Sequence, residues 1–120
     1  MQADETDDAL AEILTLTREV DVYETIRWRN SDGQLHRVHG PAVIHHSGAQ
    51  HWYMHGLKHR VDGPAIYWPN SDSIWLRNGK RHRTDGPAVI RSTGECQWWL
   101  DGQPMSQSEW QLKVRNFHDW

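Results

Sequence analysis

An arginine and a histidine recur side by side at three places, each time shortly before a Gly-Pro pair. A guanidinium group presents a planar fork of N–H donors that matches phosphate or carboxylate oxygens, and a nearby aromatic ring offers a nucleobase a face to stack on. These residue types therefore suit an anion or nucleotide site. The candidate binding residues are His36, Arg37, His59, Arg60, His82, Arg83 and Trp68.

The same arginines also suit a structural role. Asp62 and Asp85 follow the second and third arginine at a distance of two residues, so that each carboxylate can pair with an arginine of its own or a neighbouring unit. Gly63 and Gly86 are expected to need a positive φ or close approach to a neighbouring strand. Residues repeated in every unit commonly hold the unit together, and both roles remain open at this point. The structural candidates are Trp52, Trp75, Trp98, Gly40, Gly63, Gly86, Pro41, Pro64 and Pro87.

The three segments are spaced by a fixed step of 23 residues, and the tryptophans at 52, 75 and 98 keep that step. A constant period of this length indicates stacked supersecondary units. Asn78-Gly79 and Asp101-Gly102 predict tight hairpin turns, whereas the recurring proline interrupts strand pairing. The sequence therefore predicts a mainly β (α+β) fold, an antiparallel meander of stacked hairpin repeats in which each unit supplies two short strands.

The two ends of the chain depart from this period. Apolar residues at helical spacing predict a short helix over Asp7–Thr17, and alternation predicts the first strand over Val20–Trp28. The S-x-x-E pattern from Ser106 to Glu109 predicts a C-terminal capping helix that begins at Ser106. We expect one domain, with an acidic arm and helix over 1–19, a repeat sheet over 20–104 and a helix over 105–120.

Charge, cysteine content and hydropathy argue against several functional classes. The net charge of −3 combines −7 over residues 1–24 with +4 over the rest, which is too small a positive excess to favour duplex DNA. Cys96 is the single cysteine, so an internal disulfide is excluded and a reducing, cytoplasmic location is expected. No apolar run is long enough to predict a membrane span.

Neither a metal site nor a catalytic site is predicted. His55 and His59 have a four-residue spacing, but in a hairpin they do not converge as tetrahedral zinc ligands do. The sequence contains no G-x-S-x-G, phosphate-loop or zinc-hydrolase motif. We therefore expect a protein that is not an enzyme and uses no cofactor.

The period of 23, the spacing from tryptophan to the glycine turn and the histidine after that turn resemble the MORN repeat family, whose β-hairpin units stack into an elongated twisted sheet. The resemblance covers Trp28–Pro104. The H-R-x-D-G-P-A segment, which replaces the H-G-x-G of the usual repeat, is similar to divergent repeats of phage and giant-virus proteins.

The resemblance implies a non-enzymatic, protein-binding repeat protein of phage or viral origin. Its expected partner is a host protein, specifically a host defence factor that it inhibits in the host cytoplasm. Two alternatives stay open. One is a nucleotide or phosphate binder that sequesters a signal through the Arg/His/Trp surface. The other is a homo-oligomeric assembly module, a homodimer that pairs through a sheet edge or through the N-terminal helix.

Overall fold

A computed structural model describes residues 14–116 of the chain as a mainly β fold with antiparallel strands and a short C-terminal helix, α1 (Gln107–Val114). Nine of the strands form one sheet in the order β1-β2-β3-β4-β7-β8-β11-β12-β13, and β5-β6 and β9-β10 form two separate hairpins. The strands are β1 (Thr17–Val20), β2 (Ile26–Arg29), β3 (Val43–Ile44), β4 (Gln50–His51), β5 (Tyr53–Met54), β6 (Leu57–Lys58), β7 (Ile66–Tyr67), β8 (Ser73–Ile74), β9 (Leu76–Arg77), β10 (Lys80–Arg81), β11 (Val89–Ile90), β12 (Cys96–Leu100) and β13 (Gln103–Met105).

The strand boundaries differ from the prediction of two strands per unit. Between β3 and β10 the chain forms four short strands in each 23-residue step, two in the large sheet and two in a separate hairpin. The break between them falls at the repeated tryptophan. Trp52 N–H donates to the carbonyl of Ala65 at 2.7 Å, and the Trp52 carbonyl accepts from His59 N–H at 3.0 Å. The backbone of this residue is therefore bonded outside the regular ladder, which separates β4 from β5.

The core lies against one face of the large sheet. Register places Ile66, Ile74 and Val89 opposite one another on neighbouring strands, and these side chains are at most 6% exposed. Trp52 and Trp99 are among the aromatic side chains that pack against this cluster. Large rings thus supply much of the apolar area that such short strands need.

The first strand begins earlier than predicted and is interrupted. Instead of one strand over Val20–Trp28, β1 and β2 pair antiparallel across a turn. The Asp21 carboxylate accepts from the N–H groups of Tyr23 and Thr25 at 2.9 and 3.0 Å, and Glu24 has a φ of 63°. An aspartate that bonds the backbone just after it favours a turn over a continuous strand.

The predicted helix over Asp7–Thr17 lies mostly outside the described residues. Leu14 and Thr15 are helical, and Thr17 already belongs to β1. Within residues 14–116, no helix is long and apolar enough to cross a lipid bilayer.

The start of the C-terminal helix is confirmed. Ser106 is its N-cap, with the side-chain oxygen accepting from Glu109 N–H at 3.2 Å. One turn later, Trp110 is buried at 8% exposure, and its indole N–H donates to the carbonyl of Arg83 at 2.9 Å. The Trp110 ring lies 4.6 Å from that of Trp98, centroid to centroid. The helix is therefore attached to the sheet mainly through one side chain.

We predict that Trp110→Ala lowers the free energy of unfolding by about 3 kcal/mol, because a buried ring and its hydrogen bond are both removed. Leu112 lies on the same helix at 63% exposure, so Leu112→Ala should change stability by about 0.5 kcal/mol or less. Urea unfolding of both variants measures the difference. Equal costs for the two would contradict the attachment through Trp110.

Candidate functional site

Each arginine of the three repeated segments lies flat over a tryptophan ring. The guanidinium carbon is 3.8–3.9 Å from the ring centroid in all three cases, close enough for a cation–π contact. The pairs are Arg37 on Trp28, Arg60 on Trp52 and Arg83 on Trp75.

The other face of each guanidinium is covered by the glycine of the Gly-Pro pair. A Cβ built on Gly63 would lie 2.6 Å from the guanidinium carbon of Arg60, and the corresponding distances at Gly40 and Gly86 are both 2.8 Å. These glycines are not among the residues with positive φ. Close approach, rather than backbone conformation, therefore explains why glycine stands here, and the neighbour is a side chain rather than a strand.

The edges of the guanidinium groups are also bonded within the protein. Nη1 donates to the carbonyl of the proline four residues later, at 3.3 Å for Arg60 and 3.1 Å for Arg83. Nε donates to the Asp62 carboxylate at 3.2 Å and to that of Asp85 at 2.9 Å. Two of the five N–H donors of Arg60 and of Arg83 are therefore bonded within their own unit. In the first unit Arg37 also donates to the proline carbonyl, and His39 replaces the aspartate.

The three histidines beside these arginines hold the hairpin turn of the following unit. In each case Nδ1 accepts a backbone N–H from a residue 19 positions later, at 2.8–2.9 Å. His36 accepts from His55, His59 from Asn78, and His82 from Asp101.

These turns are the predicted tight hairpins. Asn78 and Asp101 both have a φ of 50°, and each is followed by a glycine with a φ of 82°, which confirms the Asn-Gly and Asp-Gly predictions. An Nδ1 that accepts a hydrogen bond must be unprotonated. Burial, with a smaller contribution from the Arg77 charge, lowers the pKa of both His59 and His82, which favours that form.

The last repeated tryptophan is covered differently. Ser106 stands 23 residues after Arg83, where a further arginine would fall, and the Trp110 ring packs on Trp98 instead. Trp68, predicted as a binding residue, packs against the core with its ring centroid 6.2 Å from that of His51. Sequence reasoning missed the partners Trp28 and Trp110, because neither lies at the 23-residue step.

Two grooves lie between neighbouring units at equivalent positions. The first has a volume of about 380 Å³ and the second about 100 Å³. Val61 lines both and is 73% exposed. The first groove is lined by Arg37, Val38, Trp52, Met54, His59, Arg60, Val61 and Asp62, and the second by Arg60, Val61, Trp75, Arg77, His82, Arg83, Thr84 and Asp85. Each lining residue of the second groove lies 23 positions after its counterpart in the first groove.

Few titratable side chains lie close together among residues 14–116. Among residues 14–116, no group of three or more His, Cys, Asp or Glu side chains is arranged to hold a metal ion. His45 and His51 approach each other edge to face at 5.2 Å, and His36 and His55 are 4.4 Å apart. The two grooves combine apolar surface with charged groups.

We predict that Gly63→Ala destabilises the protein because the added Cβ displaces the Arg60 guanidinium from the Trp52 ring. The cost should be about 1–3 kcal/mol. In an Arg60→Ala background the same change should cost about 1 kcal/mol less, since the displaced group is gone. A double-mutant cycle of urea unfolding gives this coupling. Strictly additive costs would show that Gly63 is required for some other reason.

We also predict that stability decreases on mild acidification. The pKa values of His59 and His82 are lowered on folding, so the unfolded chain binds protons more readily than the folded one. Their contribution is fully present above about pH 6.5 and is lost as the pH falls below it toward the folded pKa values. Thermal unfolding between pH 7.5 and 5.5 measures this loss.

The histidines responsible can be identified by substitution. His59→Gln with His82→Gln keeps an acceptor oxygen but removes the titration, and should reduce the pH dependence. His46 is exposed, with Nδ1 2.6 Å from the Glu24 carboxylate, so His46→Gln should not reduce it. The burial-lowered pKa of His51 leaves some dependence in the double variant. An unchanged slope in that variant would contradict the assignment.

Comparison of the chain with protein-family models, with curated proteins and with solved structures gave no match.

Proposed function

We propose that this chain is a non-enzymatic, protein-binding repeat protein whose stacked 23-residue units present one continuous binding surface. The observation that carries the proposal is the pair of equivalent grooves, with Val61 exposed between them at 73%. Leu57 at 51% exposure and Val38 at 47% add apolar surface from the same two units. Exposed apolar side chains beside polar ones at a concave surface are typical of protein contact sites.

The contacts of the arginines favour protein binding over nucleotide binding. Arg60 and Arg83 have one face on a tryptophan, the other against a glycine, and two N–H groups bonded to oxygens of their own unit. Their side chains are 25% and 18% exposed, respectively. Both faces of each guanidinium are therefore covered and two of its five N–H donors are bonded, so the recurrence of these arginines is better explained by the stability of each unit.

The proposal extends to biological context through the repeat pattern. The H-R-x-D-G-P-A segment is similar to repeats of phage and giant-virus proteins, and on that resemblance we propose a viral protein that binds and inhibits a host defence factor in the host cytoplasm. Binding alone, without chemistry, suffices for such inhibition. The partner is expected to contact the exposed side chains of the grooves rather than the enclosed arginines.

Affinity capture from bacterial lysates with the full chain tests the proposal. Val61→Glu should weaken the captured partner's affinity at least tenfold, because a charge enters the exposed apolar surface. Val22→Glu is the matched control, since Val22 is 89% exposed but lies in the β1–β2 turn. Affinity is then measured with the purified partner. Failure to capture any partner, or equal binding by both variants, would contradict the proposed surface.

A further inference from the structure

The two grooves are equivalent in position but different in chemistry. Where the first groove has Met54 and Val61, the second has Arg77 and Thr84. We propose that the grooves together bind one peptide segment in polyproline II conformation, with an apolar side chain in the first groove and an acidic side chain three residues away in the second. This proposal rests on the proposed protein-binding function and names the class of segment that is recognised.

The spacing of the grooves supports this conformation. Met54 on β5 and Arg77 on β9 are separated by two strand spacings, since β5 pairs with β6 and the β6 segment bonds to the next hairpin through Arg60 N–H to the Leu76 carbonyl at 3.1 Å and Gly79 N–H to the Lys58 carbonyl at 2.8 Å. Neighbouring strands are about 4.8 Å apart, which places equivalent positions about 9.6 Å apart. A polyproline II helix rises about 9.3 Å in its three-residue turn, so residues i and i+3 project from the same side at nearly this distance.

An extended β-strand fits this spacing less well. Its residues i and i+3 are separated by about 10 Å but project to opposite sides. Its residues i and i+2 share a side but are only about 6.7 Å apart. Because a polyproline II helix has no internal hydrogen bonds and little conformational freedom to lose, it also binds shallow grooves at a low entropic cost.

The first groove favours an apolar side chain. At about 380 Å³ it is large enough for a leucine-sized or larger group. Met54 and Trp52 line it, and thioether and indole groups adapt well to apolar ligands. Val61 forms part of its wall and is largely exposed, so an apolar ligand would bury surface that now contacts water.

The second groove favours an acidic side chain because Arg77 lacks an acidic partner. Among residues 14–116, no carboxylate lies within ion-pair distance of Arg77, Lys58, Lys80 or Arg81. Arg77 and Lys80 are directly opposite each other on β9 and β10, an arrangement of like charges that is unfavourable in a sheet. A ligand carboxylate at Arg77 would relieve this repulsion and form a charge-assisted contact.

Arg77 also differs from the repeated arginines in its surroundings. Arg60 and Arg83 each have an aspartate two residues later, whereas Arg77 is followed by Asn78 and Gly79. Of the arginines that line the second groove, Arg77 is the one whose side-chain N–H groups bond to no described residue, and it is half-buried. The complementary charge is therefore expected from the ligand.

Synthetic peptides provide the probe. The test peptide is acetyl-Pro-Pro-Leu-Pro-Pro-Glu-Pro-Pro-amide, together with the peptide in which Leu and Glu are exchanged, because a polyproline II helix can bind in either direction. Two further peptides replace Glu by Lys or shorten the Leu-to-Glu spacing to i, i+2. Binding to the full chain is measured by calorimetry, and NMR amide shifts locate the contact.

We expect one of the two Leu/Glu orders to bind, with shifts at Met54, Val61 and Arg77, and at least tenfold more tightly than the Lys or short-spacing peptides. Arg77→Glu should reverse the preference from the Glu to the Lys peptide. Lys113→Glu makes the same charge change on helix α1, where Lys113 pairs with Glu109, and should leave the preference unchanged. Thermal unfolding of each variant confirms that it is folded.

Several outcomes would overturn the proposal. These are no amide shifts at millimolar peptide, equal binding of the i, i+2 peptide, or a preference unaffected by Arg77→Glu. Peptide binding that appears only after Asp4, Glu5, Asp7 and Asp8 are replaced by Asn or Gln would assign the grooves to the chain's own acidic segment. Self-association that Val61→Glu abolishes would assign them to a second copy.

The experiments can reject protein binding and polyproline II recognition independently of each other. A captured partner that depends on Val61 but competes with none of the peptides would leave protein binding intact and reject the polyproline II segment. If the peptides bind with the expected preference but no partner is captured, the proposed recognition of the peptide by the grooves is supported. The proposal that a protein of the bacterial lysate is the partner is then contradicted.

Discussion

The arginine held between a tryptophan ring and a glycine is the contact on which each unit depends. Arg60 illustrates it, with Trp52 on one face, Gly63 on the other and the Pro64 carbonyl at its edge. Short strands make few ladder hydrogen bonds, so the loop between them needs its own support. One side chain supplies this by contacting a ring, a backbone and a carboxylate at once. The requirement for glycine follows directly, because any Cβ would occupy the place of the guanidinium.

The histidine contacts connect one unit to the next. Each histidine bonds the turn of the hairpin that follows it, and the hairpin backbones bond in the same direction, as Gly79 N–H does to the Lys58 carbonyl at 2.8 Å. The repeated elements of the unit are thus used for internal and neighbouring contacts. The positions that vary, such as Met54 and Arg77, give the two grooves their different chemistry.

The sequence predicted those features that depend on local rules. The Asn78-Gly79 turn and the Ser106 cap follow from backbone conformation and neighbouring hydrogen bonds, and both were predicted correctly. The pairing of Arg83 with Trp75 was not, because it joins two residues across a turn whose path only the folded chain defines. The anion-site interpretation of Arg60 had the same limit. Its residue types suit phosphate, but in the folded chain its guanidinium lies between Trp52 and Gly63 and is bonded at Nε and Nη1.

The turn contact between His82 and Asp101 marks where the repeated contacts end. Asp101 N–H is bonded to the third histidine, but the position of a fourth histidine is occupied by Met105, and Trp110 covers Trp98. The helix therefore takes the place of a further unit at the last repeated tryptophan. Because each of the two grooves needs side chains from two consecutive units, no further groove of this kind can form on the side that the helix covers.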